Sequence, residues 1–295
     1  CSNKDNNCLA GHEKPGYLLC SYVKSFINTE LGPVPVIKAE LGKDDLFSTF
    51  YVRCGIRRNR YIVSPGLYAI GNPDKDSEVL VTANFKLTFD MLRKELDGVS
   101  AWILVLDTKG VNVWCAAGKG TFSTRELVKR ITDNHLEKIV NHKRVIVPQL
   151  GATGVSARDV KKQSRFRVIY GPVRASDIRA FLKNDKKAEK QMRQVTFTMY
   201  ERFILTPVEI RTVLKPALIT AVVLLLLAGI GPGIFSFSNV LKRGGISITA
   251  LATGIFAGAF VTPVLLPFIP SRKFAVKGII AGSIVALFPM MFAAS

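Results

Sequence analysis

Short apolar runs alternate with longer mixed stretches through the middle of the chain. Four apolar runs have the length of strands and are bounded by turn residues, at 79–82, 102–106, 145–147 and 168–170. Stretches with a helical pattern follow them, at 88–96, 124–134, 156–163 and 175–182. Strands that alternate with helices predict a mostly parallel sheet covered on both faces. We therefore expect a Rossmann-like, doubly wound α/β domain.

The chain ahead of this repeat has a different pattern. Residues 17–27 carry an apolar stripe at helical spacing, which predicts a helix packed against the core. Residues 61–63 and 67–70 flank the turn sequence Ser64-Pro65-Gly66, so they predict a β-hairpin. The residues before Pro15 are polar and predict a loop.

From Ala217 onwards the chain is almost entirely apolar. Residues 217–235, 246–269 and 274–294 contain no acidic residue, and each has about the 20 residues that cross a bilayer core. Three such segments in succession predict an all-α transmembrane domain. The basic residues before Ala217, together with Arg272 and Lys273, favour a multi-pass protein of the cell inner membrane with its α/β domain in the cytoplasm.

These patterns divide the chain into four parts. They are an N-terminal segment at 1–45, the α/β domain at 46–195, a basic juxtamembrane helical linker at 196–216, and the transmembrane domain at 217–295. The sequence stops directly after an apolar run, so we expect further transmembrane helices beyond residue 295. It begins at Cys1 without a signal-peptide pattern, which indicates a trimmed or processed N-terminus.

Charge is distributed as unevenly as hydropathy. All 22 acidic residues precede Ala217, and only five of the 41 Lys and Arg residues follow it. The basic residues before that point are interleaved with acids, and there is no aromatic-and-basic stacking motif, so we expect no nucleic-acid partner. The densest basic run, 183–193, precedes the first apolar segment, where each positive charge gains about 1 kcal/mol from anionic lipids. The lipid bilayer is the partner that this charge predicts.

The five cysteines, at positions 1, 8, 20, 54 and 115, form no C-x-x-C pair. This spacing predicts reduced thiols, with neither a disulfide framework nor an iron–sulfur cluster in this chain. Cys115 differs from the others because it follows the apolar run 102–106 and its turn, and α/β proteins place their sites at the ends of strands.

Three interpretations of Cys115 compete. A free cysteine is most often a buried structural residue. Gly118-Lys119 resembles the end of a phosphate loop, but Val113 stands in place of the first glycine and Gly120 in place of the Mg²⁺-binding hydroxyl residue. The third interpretation is a metal ligand, with small residues beside it so that a planar cofactor can approach the backbone.

The residues around Cys115 resemble a known motif. The run Asn112-Val113-Trp114-Cys115-Ala116-Ala117-Gly118-Lys119 resembles the N-x-W-C-A-x-G-K cap-helix signature of the corrinoid proteins that methylate mercury. More loosely, it resembles the corrinoid subunits of the acetyl-CoA-pathway corrinoid iron–sulfur protein. The first family has a cytosolic corrinoid domain followed by membrane helices, and this chain has the same order. The resemblance implies that this run binds a cobalamin-type corrinoid, with Cys115 as the lower axial ligand of cobalt.

The resemblance also implies a reaction and partners. The chain would be a corrinoid-dependent methyltransferase that transfers a methyl group to Hg(II), with Cys115 as the catalytic residue. A thiolate is a strong donor that helps the methyl group leave with its electron pair, as soft Hg²⁺ requires. The implied partners are a ferredoxin-like protein with two [4Fe–4S] clusters and a methyl-donor methyltransferase.

Two other functions stay open from the sequence. The chain could be a corrinoid methyl carrier of one-carbon or acetyl-CoA-type metabolism, because such a carrier would have the same site. It could also be a membrane transporter or anchor without catalysis, although the apolar segments lack the acidic residue that transport sites commonly use.

The loops after neighbouring strands are expected to converge beside Cys115. The predicted contacts of the corrin ring in these loops are Thr82, Asn84, Thr88, Gly151, Ala152, Thr153 and Gly154. The threonine hydroxyls could hydrogen-bond the amide side arms of the ring. An ordinary helix N-cap explains each threonine equally well.

Many corrinoid proteins place a histidine below cobalt through a D-x-H-x-x-G motif. Asp133-Asn134-His135 begins this motif, but Lys138 stands where the glycine should be, so we interpret His135 as a surface residue. His12 and His142 have no partners at zinc-ligand spacing, so no zinc site is expected.

Overall fold

A seven-stranded mixed sheet organises the first part of the protein in the computed structural model, which describes residues 20–56 and 58–293. The strands are β1 (Val23–Thr29), β2 (Gly32–Ile37), β3 (Gly66–Ile70), β4 (Val79–Ala83), β5 (Ala101–Leu106), β6 (Arg144–Val147) and β7 (Arg167–Tyr170). Their order across the sheet is β1-β2-β3-β5-β4-β6-β7. Strands β5, β4, β6 and β7 are mutually parallel, whereas β3 runs antiparallel to β5.

Helices cover both faces of the parallel strands. They are α1 (Lys43–Arg53), α2 (Lys86–Glu95), α3 (Val113–Gly118), α4 (Thr124–Asp133), α5 (Leu136–Ile139), α6 (Ala157–Ser164) and α7 (Ile178–Lys183), with 3₁₀ turns at 58–60, 149–151, 175–177 and 191–193. Leu127 of α4 and Val160 of α6 belong to one core cluster, and Phe89 of α2 and Phe181 of α7 to a second. Because both faces are covered, every residue of β4 and β5 is buried, which explains their continuous apolar sequences. The α/β alternation predicted from residue 79 onwards is confirmed.

Two predictions upstream of β4 are wrong. The part of 17–27 that the structure describes contains no helix, because Val23–Thr29 pairs with β2 through a tight turn in which Gly32 has a φ of +111°. The hairpin predicted around Ser64-Pro65-Gly66 does not form. Ile62 bridges Phe85 instead, and β3 pairs with β2 and β5, so long-range pairing overrides the local turn signal.

A buried network of four charges joins α1 to α2. Asp45 accepts hydrogen bonds from Lys86 Nζ at 2.6 Å and from Arg93 Nη2 at 2.7 Å. Asp90 accepts from the same two side chains, at 2.7 and 2.8 Å. Burial raises the pKa of Asp45, but the hydrogen bonds and charges of Lys86 and Arg93 outweigh burial and lower the pKa below its usual range. The two cations and two carboxylates therefore balance one another.

We expect Asp45→Asn to lower the free energy of unfolding by about 2 kcal/mol near pH 7, because hydrogen bonds to charged groups are worth 1.5–3 kcal/mol each. The lowered pKa means that the carboxylate stabilises the fold above its unfolded pKa of about 3.9, and that this contribution is lost as the pH falls through the folded pKa. The difference between native and variant protein should therefore be constant near neutrality and shrink below about pH 4.

Urea denaturation of the full chain in detergent micelles, followed by tryptophan fluorescence, measures this difference. Both tryptophans of the chain, Trp102 and Trp114, lie in the α/β part, so the signal reports that part alone. Glu30→Gln is the control, because it breaks an exposed ion pair with Lys75 and should leave the midpoint unchanged. A pH-independent difference for Asp45→Asn would contradict the electrostatic explanation.

The chain divides after Val195 into two compact units, and the short segment Arg53–Ile56 groups with the second unit. The second unit is helical. It contains α8 (Met199–Phe203), α9 (Thr206–Gly229), a two-residue β-pair (Ile230–Gly231 with Ile234–Phe235), α10 (Phe237–Asn239), α11 (Gly245–Phe256), α12 (Thr262–Leu265) and α13 (Phe274–Ala293). Two π-helical turns, Val240–Gly244 and Ala257–Val261, join α10, α11 and α12 into one stretch.

Two helices are long and apolar enough to cross a membrane, Met199–Gly229 and Phe237–Leu265. Only 6% and 17% of the residues in their apolar windows are buried, whereas a core helix of a soluble protein is mostly buried. The third predicted span forms a helix, of which Phe274–Leu287 counts as a shorter apolar segment. The helical nature of the C-terminal part is confirmed, and its transmembrane topology stays a prediction.

Candidate functional site

The site begins with a turn at the carboxyl end of β5, which the neighbouring strand holds in place. Asn84, just beyond β4, is buried, and its Oδ1 accepts hydrogen bonds from the backbone N–H groups of Thr108 at 3.1 Å and Gly110 at 2.9 Å. Its Nδ2 donates to Asp107 Oδ1 at 3.2 Å. The predicted corrin contact Asn84 therefore uses its side chain to fix the turn that leads to Cys115.

The side chain of Glu126 also fixes this turn, and Lys109 pairs with Asp107 within it. Glu126 Oε1 accepts from the backbone N–H of Asp107 at 2.9 Å and from Arg130 Nε at 2.6 Å. Burial raises the pKa of Asp107, but the hydrogen bond and charge of Lys109 outweigh burial and lower it. Glu126 was not predicted as a residue of the site, although the capping pattern Ser123-x-x-Glu126 is a signal for it.

The helix α3 presents two different faces. Asn112 is its N-cap, and Asn112 Oδ1 accepts from the backbone N–H of Cys115 at 2.9 Å. Val113, Ala116 and Ala117 are buried in the core. The outward face carries Trp114, Cys115, Gly118 and Lys119, all of which are exposed.

The exposure of Cys115 decides between two of its interpretations. The thiol lies on the outward face of α3, so the interpretation as a buried structural cysteine is wrong. Trp114 beside it is 50% exposed, which is unusual for an indole, and no atom of the described residues lies within 4 Å of a Cβ added to Gly118. The outward face of α3 therefore combines a soft donor, a large aromatic surface and open space.

The loop after β6 packs directly against α3 and the residues that follow it. A Cβ added to Gly154 would lie 2.0 Å from the carbonyl oxygen of Phe122 and 3.1 Å from Cα of Ala117. A Cβ added to Gly151 would lie 2.5 Å from the ring of Phe122. Phe122, a buried residue that the sequence analysis did not single out, is thus the reason why both positions require glycine.

The loop after β7 joins the same edge of the sheet, because Gln149 donates its backbone N–H to the carbonyl of Pro172 at 3.3 Å. The loops after β4, β5, β6 and β7 are therefore brought together. The strand order reverses at β4, with β5 on one side and β6 on the other, and ligand crevices of open α/β sheets lie at such points.

The remaining predicted contacts lie around this crevice at different depths. Thr82 is buried within β4, and Thr88 is half-buried in α2. In the loop after β6, Ala152 is half-buried and Thr153 is exposed. The N-cap interpretation of the three threonines is wrong, because the N-caps of α2 and α6 are Phe85 and Ser156. Contact of these residues with a ligand stays a prediction.

The histidines do not form a metal site within the described residues. His135 is exposed with a left-handed backbone at the start of α5, as expected for a surface residue. His142 Nε2 lies 2.9 Å from the carbonyl oxygen of Ser77. No group of three or more His, Cys, Asp or Glu residues there could hold a metal ion, and His12 lies outside the described residues.

Comparison with known proteins identifies relatives of the α/β part. Residues 56–182 match the CdhD family model, described as the CO dehydrogenase/acetyl-CoA synthase delta subunit. This segment contains β3 to β7 and the whole candidate site. The looser of the two resemblances, to the acetyl-CoA-pathway protein, is therefore supported.

Individual relatives are also subunits of acetyl-CoA decarbonylase/synthase complexes. The chain is 34% identical over 130 residues to the acetyl-CoA decarbonylase/synthase complex subunit gamma of Methanocaldococcus jannaschii, which covers 43% of the chain and 26% of that protein. Identity is 31% over 125 residues to the gamma subunit of Archaeoglobus fulgidus, covering 42% of the chain and 26% of the relative. Identity is 35% over 124 residues to gamma subunit 2 of Methanosarcina thermophila, covering 39% of the chain and 25% of the relative. The chain thus spans about a quarter of the length of these relatives.

Proposed function

We propose that this protein binds a corrinoid at the outward face of α3 and serves as a methyl carrier of one-carbon or acetyl-CoA-type metabolism. The observation that carries the proposal is the exposed thiol of Cys115 beside open space, at the carboxyl ends of parallel strands. The relatives act in acetyl-CoA decarbonylase/synthase complexes, and the similarity covers the segment that contains this thiol.

The residues of the site suit a corrinoid. A thiolate is a good ligand for a borderline transition metal, and Cys115 is exposed in a short helix whose N-cap fixes its backbone. The indole of Trp114 offers a surface for a broad ring, and Gly118 leaves the approach free. Lys119 would face the amide and phosphate groups of the cofactor at the edge of the same face.

A bound corrinoid supplies a cobalt centre that accepts and releases methyl groups. The chain would hold this centre through Cys115, while Asn84, Asn112 and Glu126 keep the turn and α3 in position. The thiolate of Cys115 would bind the metal and donate electron density to it.

The proposed carrier needs other proteins and a location. A separate methyltransferase would load the methyl group, and a ferredoxin-like protein with two [4Fe–4S] clusters would reduce the cobalt. The two long apolar helices would anchor the protein in the cell inner membrane, with the α/β unit on the cytoplasmic side.

Methyl transfer to Hg(II) is a second candidate. It is favoured by the cysteine itself, since a thiolate ligand promotes release of the methyl group with its electron pair to a soft electrophile. The site would have the same geometry in both cases, so the acceptor distinguishes the two candidates.

The test uses the full chain in detergent micelles, incubated with reduced corrinoid and passed through a sizing column. We expect about one corrinoid per native chain and at least about a tenfold loss for Gly118→Val, which adds a branched side chain where a Cβ meets no described atom within 4 Å. Gly278→Val is the control, because it adds the same side chain to an open helical position in the second unit. Equal retention by all three proteins, or none by the native chain, would refute the proposed site.

The acceptor is then determined with isotopically labelled methyl groups. Cells that lack the native gene but keep the ferredoxin-like partner are complemented with the chain, and labelled methylmercury and labelled acetyl groups are quantified. Labelled acetyl groups without methylmercury would support the carrier. Methylmercury would support the second candidate.

A further inference from the structure

The second unit contains a cavity of about 970 Å³ that the proposed methyl chemistry does not use. One wall is formed by Arg202, Thr206 and Glu209, at the start of the long helical stretch that continues into α9. The opposite wall is formed by the small residues Gly254 and Gly258 of the second apolar stretch. The rest of the lining is mostly apolar.

The charged wall has an unsatisfied donor. Nη1 of Arg202 is buried and has no hydrogen-bond partner among the described residues. A buried charged donor without a partner is destabilising, so a ligand with an acceptor group would gain a favourable interaction by filling the cavity. The hydroxyl of Thr206, on the same wall, donates to the carbonyl of Phe203 at 2.8 Å and is not a partner of this nitrogen.

The same wall offers a second charge of opposite sign. Glu209 follows Arg202 by seven residues, which is about two helical turns, so both side chains face the cavity from the same side. An anionic ligand would satisfy Arg202 but would be repelled by Glu209. A head group with one phosphate and one ammonium group would satisfy both.

The small-residue wall suits an apolar chain. No described atom lies within 4 Å of a Cβ added to Gly254 or Gly258, so the groove beside these glycines is open. Leu251 and Ile255 provide an apolar lining for it. The cavity thus has a zwitterionic end and an apolar length, which is the chemistry of a phospholipid.

The place of the cavity along the helix agrees with this ligand. The charged residues Arg202, Glu209, Arg211 and Lys215 all precede the uninterrupted apolar part of α9, so they mark the interfacial end of a membrane helix. A head group there would lie at the depth of the surrounding head groups.

We propose that this cavity binds one phospholipid with an ethanolamine head group, whose phosphate pairs with Arg202 and whose ammonium pairs with Glu209. The acyl chain lies along Gly254 and Gly258. The site is separate from the outward face of α3, so it does not depend on the corrinoid proposal.

The test measures lipids that stay with the full chain after exhaustive detergent washing, by native mass spectrometry and by lipid extraction. The native chain should retain about one phosphatidylethanolamine. Arg202→Gln should reduce retention by about tenfold, because it removes the charge that holds the phosphate. Glu209→Gln should keep a phospholipid but lose the preference for phosphatidylethanolamine over phosphatidylglycerol in an exchange assay.

A steric pair of variants separates binding from folding. Gly258→Leu adds a bulky side chain where a Cβ meets no described atom within 4 Å and should remove the lipid, whereas Gly278→Leu makes the same change at an equally open position outside the cavity and should not. Circular dichroism checks that both variants keep their helices. Retention that is equal in the native chain, Arg202→Gln and Gly258→Leu would overturn the proposal. A native chain that retains no lipid would also overturn it. The proposal would likewise be wrong if the native chain formed a dimer that Gly258→Leu dissociates, because a helix of the second copy would then fill the groove.

Discussion

Replacing Cys115 by alanine is expected to abolish methyl transfer while leaving the protein folded. The thiol is exposed and contributes nothing to the core, so its loss removes the proposed metal ligand and no packing. A loss of at least about a hundredfold in rate corresponds to about 2.7 kcal/mol of transition-state stabilisation. The visible spectrum of the reconstituted protein should change as well, because the proposed ligand of the metal would be lost.

The measurement compares methyl transfer by native protein, Cys115→Ala and Cys54→Ala at matched corrinoid loading. Cys54 is a half-buried free cysteine on a different segment, so its replacement controls for the general loss of a thiol. Native activity and an unchanged spectrum in Cys115→Ala would show that Cys115 is not a ligand, even if the corrinoid binds at this face.

Replacing Gly154 by alanine is expected to destabilise the α/β unit by about 4 kcal/mol, in the range of the most damaging single substitutions. The added Cβ would lie 2.0 Å from the backbone carbonyl oxygen of Phe122, and a backbone atom cannot move aside as a flexible side chain can. Because the loop after β6 packs on α3, the variant should also lose corrinoid in proportion to its loss of folded protein.

Gly118→Ala is the matched control for Gly154→Ala. It adds the same methyl group to a position with no atom within 4 Å, so the free energy of unfolding should change by less than about 0.5 kcal/mol. Tryptophan fluorescence during urea denaturation measures both variants. Equal midpoints for the two would show that the β6 loop adapts, and that its tight packing does not require glycine.

The sequence predicted the parallel part of the fold well, because each element there carries its own signal. The runs 79–82 and 102–106 lie within strands that are buried on both faces, and burial on both faces is what makes a run continuously apolar. Residues 17–27 misled the prediction because pairing with β2, and not local periodicity, determines the conformation of Val23–Thr29. The same holds for β3, whose partners are distant in the sequence.

The sequence placed Cys115 at the end of a strand, and the roles predicted for the residues of the candidate site stay predictions. The motif around Cys115 identified α3 correctly as the exposed element at the end of β5. Gly151 and Gly154 were expected to contact the ring, and their lack of a side chain makes room for Phe122. Asn84 was expected to touch the ligand, yet its amide is used to hold the turn. A single sequence cannot distinguish space for a ligand from space for a neighbouring side chain.

The two faces of α3 have a consequence for how such proteins could evolve. Stability depends on the inward residues Val113, Ala116 and Ala117, while the outward residues carry little of the packing. A substitution at position 115 would therefore alter reactivity without a large cost in folding, and selection could test new donors on an unchanged scaffold. Divergence of acceptor chemistry among relatives would then require few mutations, concentrated on one exposed helical surface.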